Sequence, residues 1–406
     1  MKILLLSIAV LCFVSCKKEV VQVSIKEDVA FLSSDDLAGR ETGTKEELMA
    51  AKYIKERMEA IGLIAKGQAG TYFQTFTFRP STNPHEKVKF IDAGDGTTTG
   101  TNVIGYIDNN AAKTVIIGAH YDHLGYGGQG SLHRGSLEVH NGADDNASGV
   151  AMMLKLAERL TNQNTGHNYL FIAFSGEEMG LLGSNYFAKN PTVDLSKANY
   201  MLNMDMVGRL REDKALSISG VGTTPLWKQI LNSNNTGFKL VLNESGIGPS
   251  DHTSFYLQNI PALHFFTGQH EDYHKPSDDH QKLNYDGMKM ITDYIFNIIS
   301  DLDASDKLVF KKTKNESEEV PRFKVALGVV PDYLFDGVGM RIDGVSEGKP
   351  AEKAGLQKGD IVIKLGDMET TDMMSYMKAL TTFQKGDTTK VVVDRKGKRV
   401  EATIVF

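Results

Sequence analysis

Five apolar runs, TNVIGYI, TVIIGAHYD, NYLFIAF, ANYMLNMDMVG and IPALHFF, recur through the first two-thirds of this 406-residue chain. A sheet with one wet face alternates apolar and polar residues. These runs are nearly continuous, so both faces of their sheet must be covered. The segments between and after them, SGVAMMLKLAERL, LLGSNYFAKN, TPLWKQILNS and DGMKMITDYIFNIISDL, carry helical periodicity. An earlier amphipathic helix in KEELMAAKYIKERMEAIGL stops at Gly62. Strands alternating with helices predict an α/β fold, a mixed, mostly parallel sheet sandwiched by helices. In such folds functional groups collect beyond the carboxyl ends of the strands.

Each strand end can therefore be asked what polar group it delivers. TVIIGAHYD delivers His120 and Asp122, two residues apart and so on one face if the extended backbone persists. NYLFIAF runs into FSGEEMG with the adjacent Glu177 and Glu178, and YMLNM runs into Asp205. Loops add Asp145 in NGADDNASG, and His274 with Asp278 in EDYHKPSDD. Singly, each has an ordinary structural explanation. Ser175-x-x-Glu178 is a capping box, and Asp145 and Asn146 suit a helix N-cap. Asp205 alone is costly to bury unless it meets a cation. Four separate coincidences would be needed to bring these groups to one sheet edge for structure alone. Both cysteines, Cys12 and Cys16, lie in the first 16 residues, so a metal would be held by His, Asp and Glu. Such a donor set suits a catalytic zinc site or two divalent ions sharing a carboxylate. One of the adjacent glutamates would then be free to move a proton.

GAHYDHLG, NGADDNASG, FSGEEMGLLGS, NMDMVG and YHKPSDD, in this order, resemble the motif set of the secreted co-catalytic di-zinc aminopeptidases, over residues 28–304. That resemblance implies a zinc exopeptidase fold and two Zn2+ per chain. One ion would be held by His120 and Asp205, the other by Glu178 and His274, with Asp145 bridging them. It makes Glu177 the general base for the attacking water and Tyr273 a hydrogen-bond donor to the oxyanion. Asp122 and Asp278 match acids that orient the two histidines. His123, His133, His140, His270 and His280 read as loop or cleft-rim residues. Asp251-His252 resembles a motif near the substrate cleft without a metal role, and Arg40 and Glu41 read as braces of the N-terminal loop. Other zinc hydrolases or transferases on the same scaffold, a carboxypeptidase or a glutaminyl cyclase, are alternatives. So is a non-enzymatic peptide-binding envelope protein, although no ligand of the set is missing.

After a charged linker at 305–320, residues 321–406 resemble a small, mainly-β PDZ domain, through DGVGMRIDGVSEGKPAEKAGLQKGDIVIKLGD. The resemblance implies that Val338, Gly339 and Met340 present backbone N–H groups to a peptide C-terminal carboxylate. The peptide would pair along the strand 340–345, and SYMKALTTF would form the groove helix. Packing against the first domain is an equal alternative. At the other end, MKILLLSIAVLCFVSC resembles a bacterial lipoprotein leader spanning residues 1–16, with Cys16 as the lipidated residue and a polar tether over 17–27. It implies an exported, membrane-anchored envelope protein, and the aminopeptidase resemblance implies partners that are peptides with a free N-terminus. The net charge of -6 gives no electrostatic case for nucleic acid.

Overall fold

The computed structural model describes residues 22–406 apart from 81–87, 129, 314–323, 333, 336 and 347. The expected leader, Cys16 included, lies outside the described residues. The tether expected over 17–27 ends earlier than 27. Val23 is buried, and helix α1 (Ile25–Leu32) starts behind Ser24, whose hydroxyl accepts from the Glu27 amide. Helix α2 (Lys45–Ile61) is capped by Thr44 at one end and by left-handed Gly62 at the other, and it buries Ala50, Ala51, Ile54 and Met58.

Nine strands form the first sheet. They are β1 (Ile64–Ala65), β2 (Phe73–Phe78), β3 (Thr98–Ile107), β4 (Thr114–His120), β5 (Asn168–Phe174), β6 (Ala198–Met204), β7 (Ala215–Ser219), β8 (Lys239–Asn243) and β9 (Ala262–Phe266). The order is β1-β3-β5-β4-β6-β9-β7-β8, with β2 also on β3. The centre, β5-β4-β6-β9, is parallel, while β3 and β7 join it antiparallel. Every residue of β4, β5 and β6 is buried, as their unbroken apolar sequences require. Alternate residues serve opposite faces. Val115 and Ile117 meet α3 (Gly149–Gln163) and α7 (Tyr285–Asp301), whereas Ile116 joins Phe187 of α4 (Leu182–Lys189) and Phe255 of α6 (His252–Tyr256). Helix α5 (Trp227–Ser233) inserts Trp227 into the first of these layers.

Residues 305–313 are not a free linker. Leu308 is buried, its amide donates to Asn199 Oδ1 at 2.7 Å, and the Lys311 amide donates to the Thr223 carbonyl at 2.8 Å. An apolar residue every few positions is enough to hold a charged segment onto a domain. The rest of the expected linker lies outside the described residues.

The second domain has its own core around Leu327, Ile342, Val362 and Val391. Its strands are β10 (Val329–Pro331), β11 (Met340–Val345), β12 (Ile361–Leu365), β13 (Met368–Glu369), β14 (Thr388–Arg395) and β15 (Lys398–Val405). Two helices complete it, α8 (Pro350–Lys353) and α9 (Met373–Leu380), the latter opened by a capping box between Asp372 and Ser375. The order is β10-β11-β12-β14-β15, antiparallel throughout.

The topology limits the expected peptide-binding geometry along β11. β11 pairs with β10 over Ile342–Val345 on one edge and with β12 at Met340 and Arg341 on the other, so the strand expected to take a peptide is already partly paired on both edges. In the proposed carboxylate loop, the Gly339 amide already donates to the Thr371 carbonyl at 2.8 Å and Met340 is buried, although Val338 is exposed.

Candidate metal centre

The parallel strands deliver the predicted groups to one edge. His120 is the last residue of β4, Asp205 follows β6, and Tyr273 and His274 lie on the loop after β9. β5 ends at Phe174. Gly176 then takes φ +73°, a left-handed turn that other residues resist, and places Glu177 and Glu178 over the sheet edge. Ser175 does not cap a helix. Its hydroxyl donates to Glu47 Oε1 at 2.6 Å, and α4 begins only at Leu182 without a side-chain cap.

Asp145 sits between the two predicted histidines. Its Oδ1 is 3.3 Å from His120 Nε2, and its Oδ2 is 3.2 Å from His274 Nε2. His120 Nε2 is also 3.4 Å from Asp205 Oδ1, and His274 Nε2 is 3.2 Å from Glu178 Oε2. Donor atoms of His120, Glu177 and Asp205 lie within 4.8 Å of one another, as do those of His123, Asp145 and Glu178. The adjacent glutamates thus serve different halves of one cluster.

Their electrostatics diverge as well. Burial pushes the Glu177 carboxyl well above the usual carboxylate range; His120 opposes this, while Asp205 and Glu178 add to it. Glu178 is buried too, but His274 and His123 outweigh burial and the nearby Asp145 and hold its carboxyl at about 2. Two groups of one chemical type are driven apart, which is how one site obtains an acid-base and a ligand from the same residue. Tyr273 stacks on His274 with ring centroids 3.8 Å apart. Burial, reinforced by Asp145, Glu178 and Glu177, raises its hydroxyl well above the usual value and keeps it a donor.

The donors fit divalent cations. Among the described residues, the ion-pair partners of Asp145, Glu178 and Asp205 are histidines alone, with no lysine or arginine. Carboxylates gathered this closely with no lysine or arginine in direct contact carry excess negative charge that a metal would balance. An imidazole and carboxylate set without sulfur suits zinc.

Of the two supporting acids, Asp122 lies beside its expected histidine and also takes a second task, whereas Asp278 has other partners. Asp122 is 3.7 Å from His120 Nδ1, which is nearer the Asp122 carbonyl at 3.2 Å. The Asp122 carboxylate accepts the amides of Glu177 (3.1 Å) and Glu178 (3.4 Å), so it fixes the glutamate turn. Asp278 does not orient His274. Its Oδ2 accepts the amides of Asp144 (2.9 Å) and Asp145 (3.1 Å), while His274 Nδ1 meets the Gly130 carbonyl at 2.9 Å. Both acids clamp backbone, because converging loop amides are as good a partner for a buried carboxylate as an imidazole.

Arg40 is the brace that was expected, on a larger scale. Fully buried, it donates to the carbonyls of Leu32, Tyr121, Asn141 and Gly142, tying the end of β4 to the Asp145 loop. His123 was placed on a rim, but it is buried with Nδ1 2.7 Å from Glu178 Oε1. His140 is buried as well, while His270 turns Nε2 to Asp144 Oδ2 at 3.1 Å. His133 and His280 are partly exposed and hold no place in either donor group. Asp251 and His252 are fully buried, with His252 stacked on His264. The sequence signal for His123 is its position directly after the His120–Asp122 pair. Nothing else in the sequence separates it from the other histidines of that loop.

Residues 102–299 match the model of Peptidase family M28, and residues 310–405 match that of the PDZ domain. The alkaline phosphatase isozyme conversion protein of Escherichia coli is 32% identical over 187 residues, 46% of this chain and 51% of its own. Aminopeptidase YwaD of Bacillus subtilis is 27% identical over 211 residues, 48% of this chain and 43% of its own. This chain thus spans about half the length of these curated relatives. Among solved structures, a zinc aminopeptidase from Bacillus subtilis superposes with a TM-score of 0.53 at 19% identity, covering 71% of this chain and 98% of its own. Glutaminyl cyclase from Porphyromonas gingivalis gives 0.53 at 19%, covering 68% and 97%. Both structures share the fold. With its motifs at one sheet edge and a second, separately cored β domain behind them, the chain is a member of peptidase family M28 with a C-terminal PDZ domain.

Proposed function

We propose that the protein is a zinc-dependent aminopeptidase that hydrolyses N-terminal residues from peptides. The observation that carries this reading is the division of Glu177 and Glu178 between two donor groups joined at Asp145. His120 and Asp205 would hold one zinc, Glu178 and His274 the other, with Asp145 shared. Bound zinc supplies Lewis acidity and makes water a stronger nucleophile at neutral pH. Glu177, the carboxylate whose buried setting favours proton uptake, takes a proton as the water oxygen bonds to the scissile carbonyl carbon. Tyr273 donates a hydrogen bond to the oxyanion that forms. Glu177 returns the proton to the leaving amine as the C–N bond breaks.

Glu177→Gln tests the assignment. It should bind zinc like the parent and lose at least about a hundredfold in turnover, the low end for removal of a general base. Unchanged turnover would refute it. Metal analysis separates the glutaminyl cyclase alternative with a single ion, since the shared Asp145 requires two zinc ions per chain. An amino-blocked peptide separates a carboxypeptidase, which would accept it. Anchorage of an exported envelope protein through Cys16 belongs to the same proposal and is supported by the leader sequence. Labelling with a tritiated fatty acid should be lost in Cys16→Ser. Among the described residues, no helix is long and apolar enough to cross a membrane.

A further inference from the structure

One loop faces both domains. After β9, Thr267 is fixed through its amide and hydroxyl to the Met206 carbonyl, at 2.9 and 2.7 Å. Gly268 then lies against Leu334 of the PDZ domain, and the Gln269 carbonyl faces Arg211, the residue of the first domain that the PDZ acids hold. His270 reaches Asp144, and Tyr273 and His274 enter the metal centre. Only four positions separate Gln269 from Tyr273.

The contact between the domains is built around Arg211, which follows Asp205 by six positions. Arg211 Nη1 lies 3.2 Å from Asp332 Oδ2, and its Nη2 lies 2.9 Å from Asp343 Oδ2. The same Nη2 also reaches the Gln269 carbonyl at 3.4 Å. Both acids belong to the PDZ domain and are buried. Arg341 holds Asp332 from the other side and Lys358 holds Asp343. Arg341 and Asp343 are two apart on β11, so they share one face of that strand. That face is turned to the first domain, while Met340 and Ile342 fill the PDZ core. Leu334 adds an apolar contact. It is buried, and a Cβ on Gly268 would stand 2.8 Å from its Cδ1. Gly268 has φ +98°, so a side chain there would be strained and would collide with the docked domain.

We propose that the PDZ domain is a positioning element for the catalytic loop 267–274. Arg211, Asp332, Asp343 and Leu334 are the positioning residues. The domain holds Gly268 and Gln269, and through them sets where Tyr273 and His274 stand. A capture module swinging on a linker would need none of these contacts, and residues 305–313 are themselves tied to the first domain. The catalytic consequence rests on the aminopeptidase reading; the mechanical one does not.

The test is Arg211→Ala in the full-length, zinc-loaded protein, with Leu334→Ala as a second variant. Amide hydrogen exchange over 267–274, measured without substrate, should rise in both variants relative to the parent. It should fall back in part in Arg211→Lys, which keeps the charge but loses the two-pronged geometry. On a peptide substrate, kcat should drop by about 2- to 30-fold with little change in KM, the scale of a coupling carried through packed neighbours. Exchange over 267–274 that matches the parent in both variants overturns the proposal, whatever the activity. Raised exchange with unchanged kcat overturns the catalytic half and leaves the docking half standing. If no variant or parent cleaves peptides, the aminopeptidase reading fails while the exchange result still decides the docking.

Discussion

His123 Nδ1 lies 2.7 Å from Glu178 Oε1, and the two side chains are 0% and 8% exposed. The contact occupies one carboxylate oxygen and leaves Oε2 turned to His274 at 3.2 Å. A ligand held by such an outer partner presents one oxygen in one orientation. His123→Ala should therefore weaken metal binding at the Glu178 and His274 pocket by roughly 10- to 100-fold, as outer partners of metal ligands do. His123→Gln, which keeps a donor, should recover part of the loss. Competition with a chromophoric chelator measures both constants. A zinc affinity in His123→Ala equal to the parent's would remove His123 from the site.

The five metal-type residues could be read from sequence because each ends an apolar run or opens a short loop at the carboxyl edge of a parallel sheet. There the chain has no other use for an unpaired acid. His123 escaped for the opposite reason. It stands in a loop where a histidine has many possible neighbours, and only the fold brings Glu178 to it. The partner of Asp278, and the amides that Asp122 accepts besides standing near His120, were out of reach because spacing tells which face a side chain takes and not what waits there. Both found backbone amides. β7 and β8 went unseen, since ALSIS and KLVLN are too short and too polar to stand out as strands. In the PDZ domain, local similarity located β11 correctly, but which strands flank it is a long-range property. Docking of the two domains was equally out of reach, because Arg211 and Asp332 are 121 positions apart.

Arg40 makes a stability prediction. Burial lowers its pKa to about 10 against the raising influence of Asp122, Asp145, Asp278 and Glu178, so the guanidinium stays charged at neutral pH. Its donors satisfy four backbone carbonyls from three separate segments. Arg40→Met leaves those carbonyls buried without a donor and should destabilise the protein by about 3–5 kcal/mol, the range for breaking a buried charged contact. Arg40→Lys should rescue little, since one ammonium cannot reproduce the fork. Urea unfolding followed by intrinsic fluorescence gives the difference. A loss under about 1 kcal/mol, the worth of an ordinary surface contact, would show that the brace is dispensable.

The docked PDZ domain has a predictable response to acid. Burial alone would push the Asp332 carboxyl up, but Arg341, Arg211 and the Leu334 amide outweigh it and hold its pKa below the ordinary value. A carboxylate with a depressed pKa stabilises the arrangement that depresses it while it is ionised. Arg341 and the Leu334 amide belong to the same domain as Asp332, so the share that docking adds is Arg211's; it is present while Asp332 is ionised and is lost as pH falls through its depressed value. The docked contact should therefore be insensitive to pH from neutrality down to about pH 5 and weaken only below about pH 4. Hydrogen exchange over 267–274 reports this, with rates corrected for their intrinsic pH dependence. Asp332→Asn should exchange faster than the parent at neutral pH and show a smaller acid step, since Asp343 still pairs with Arg211. Burial lowers His270 but Asp144 outweighs it, so a step above the free-histidine value would mean that His270 and not Asp332 governs the contact.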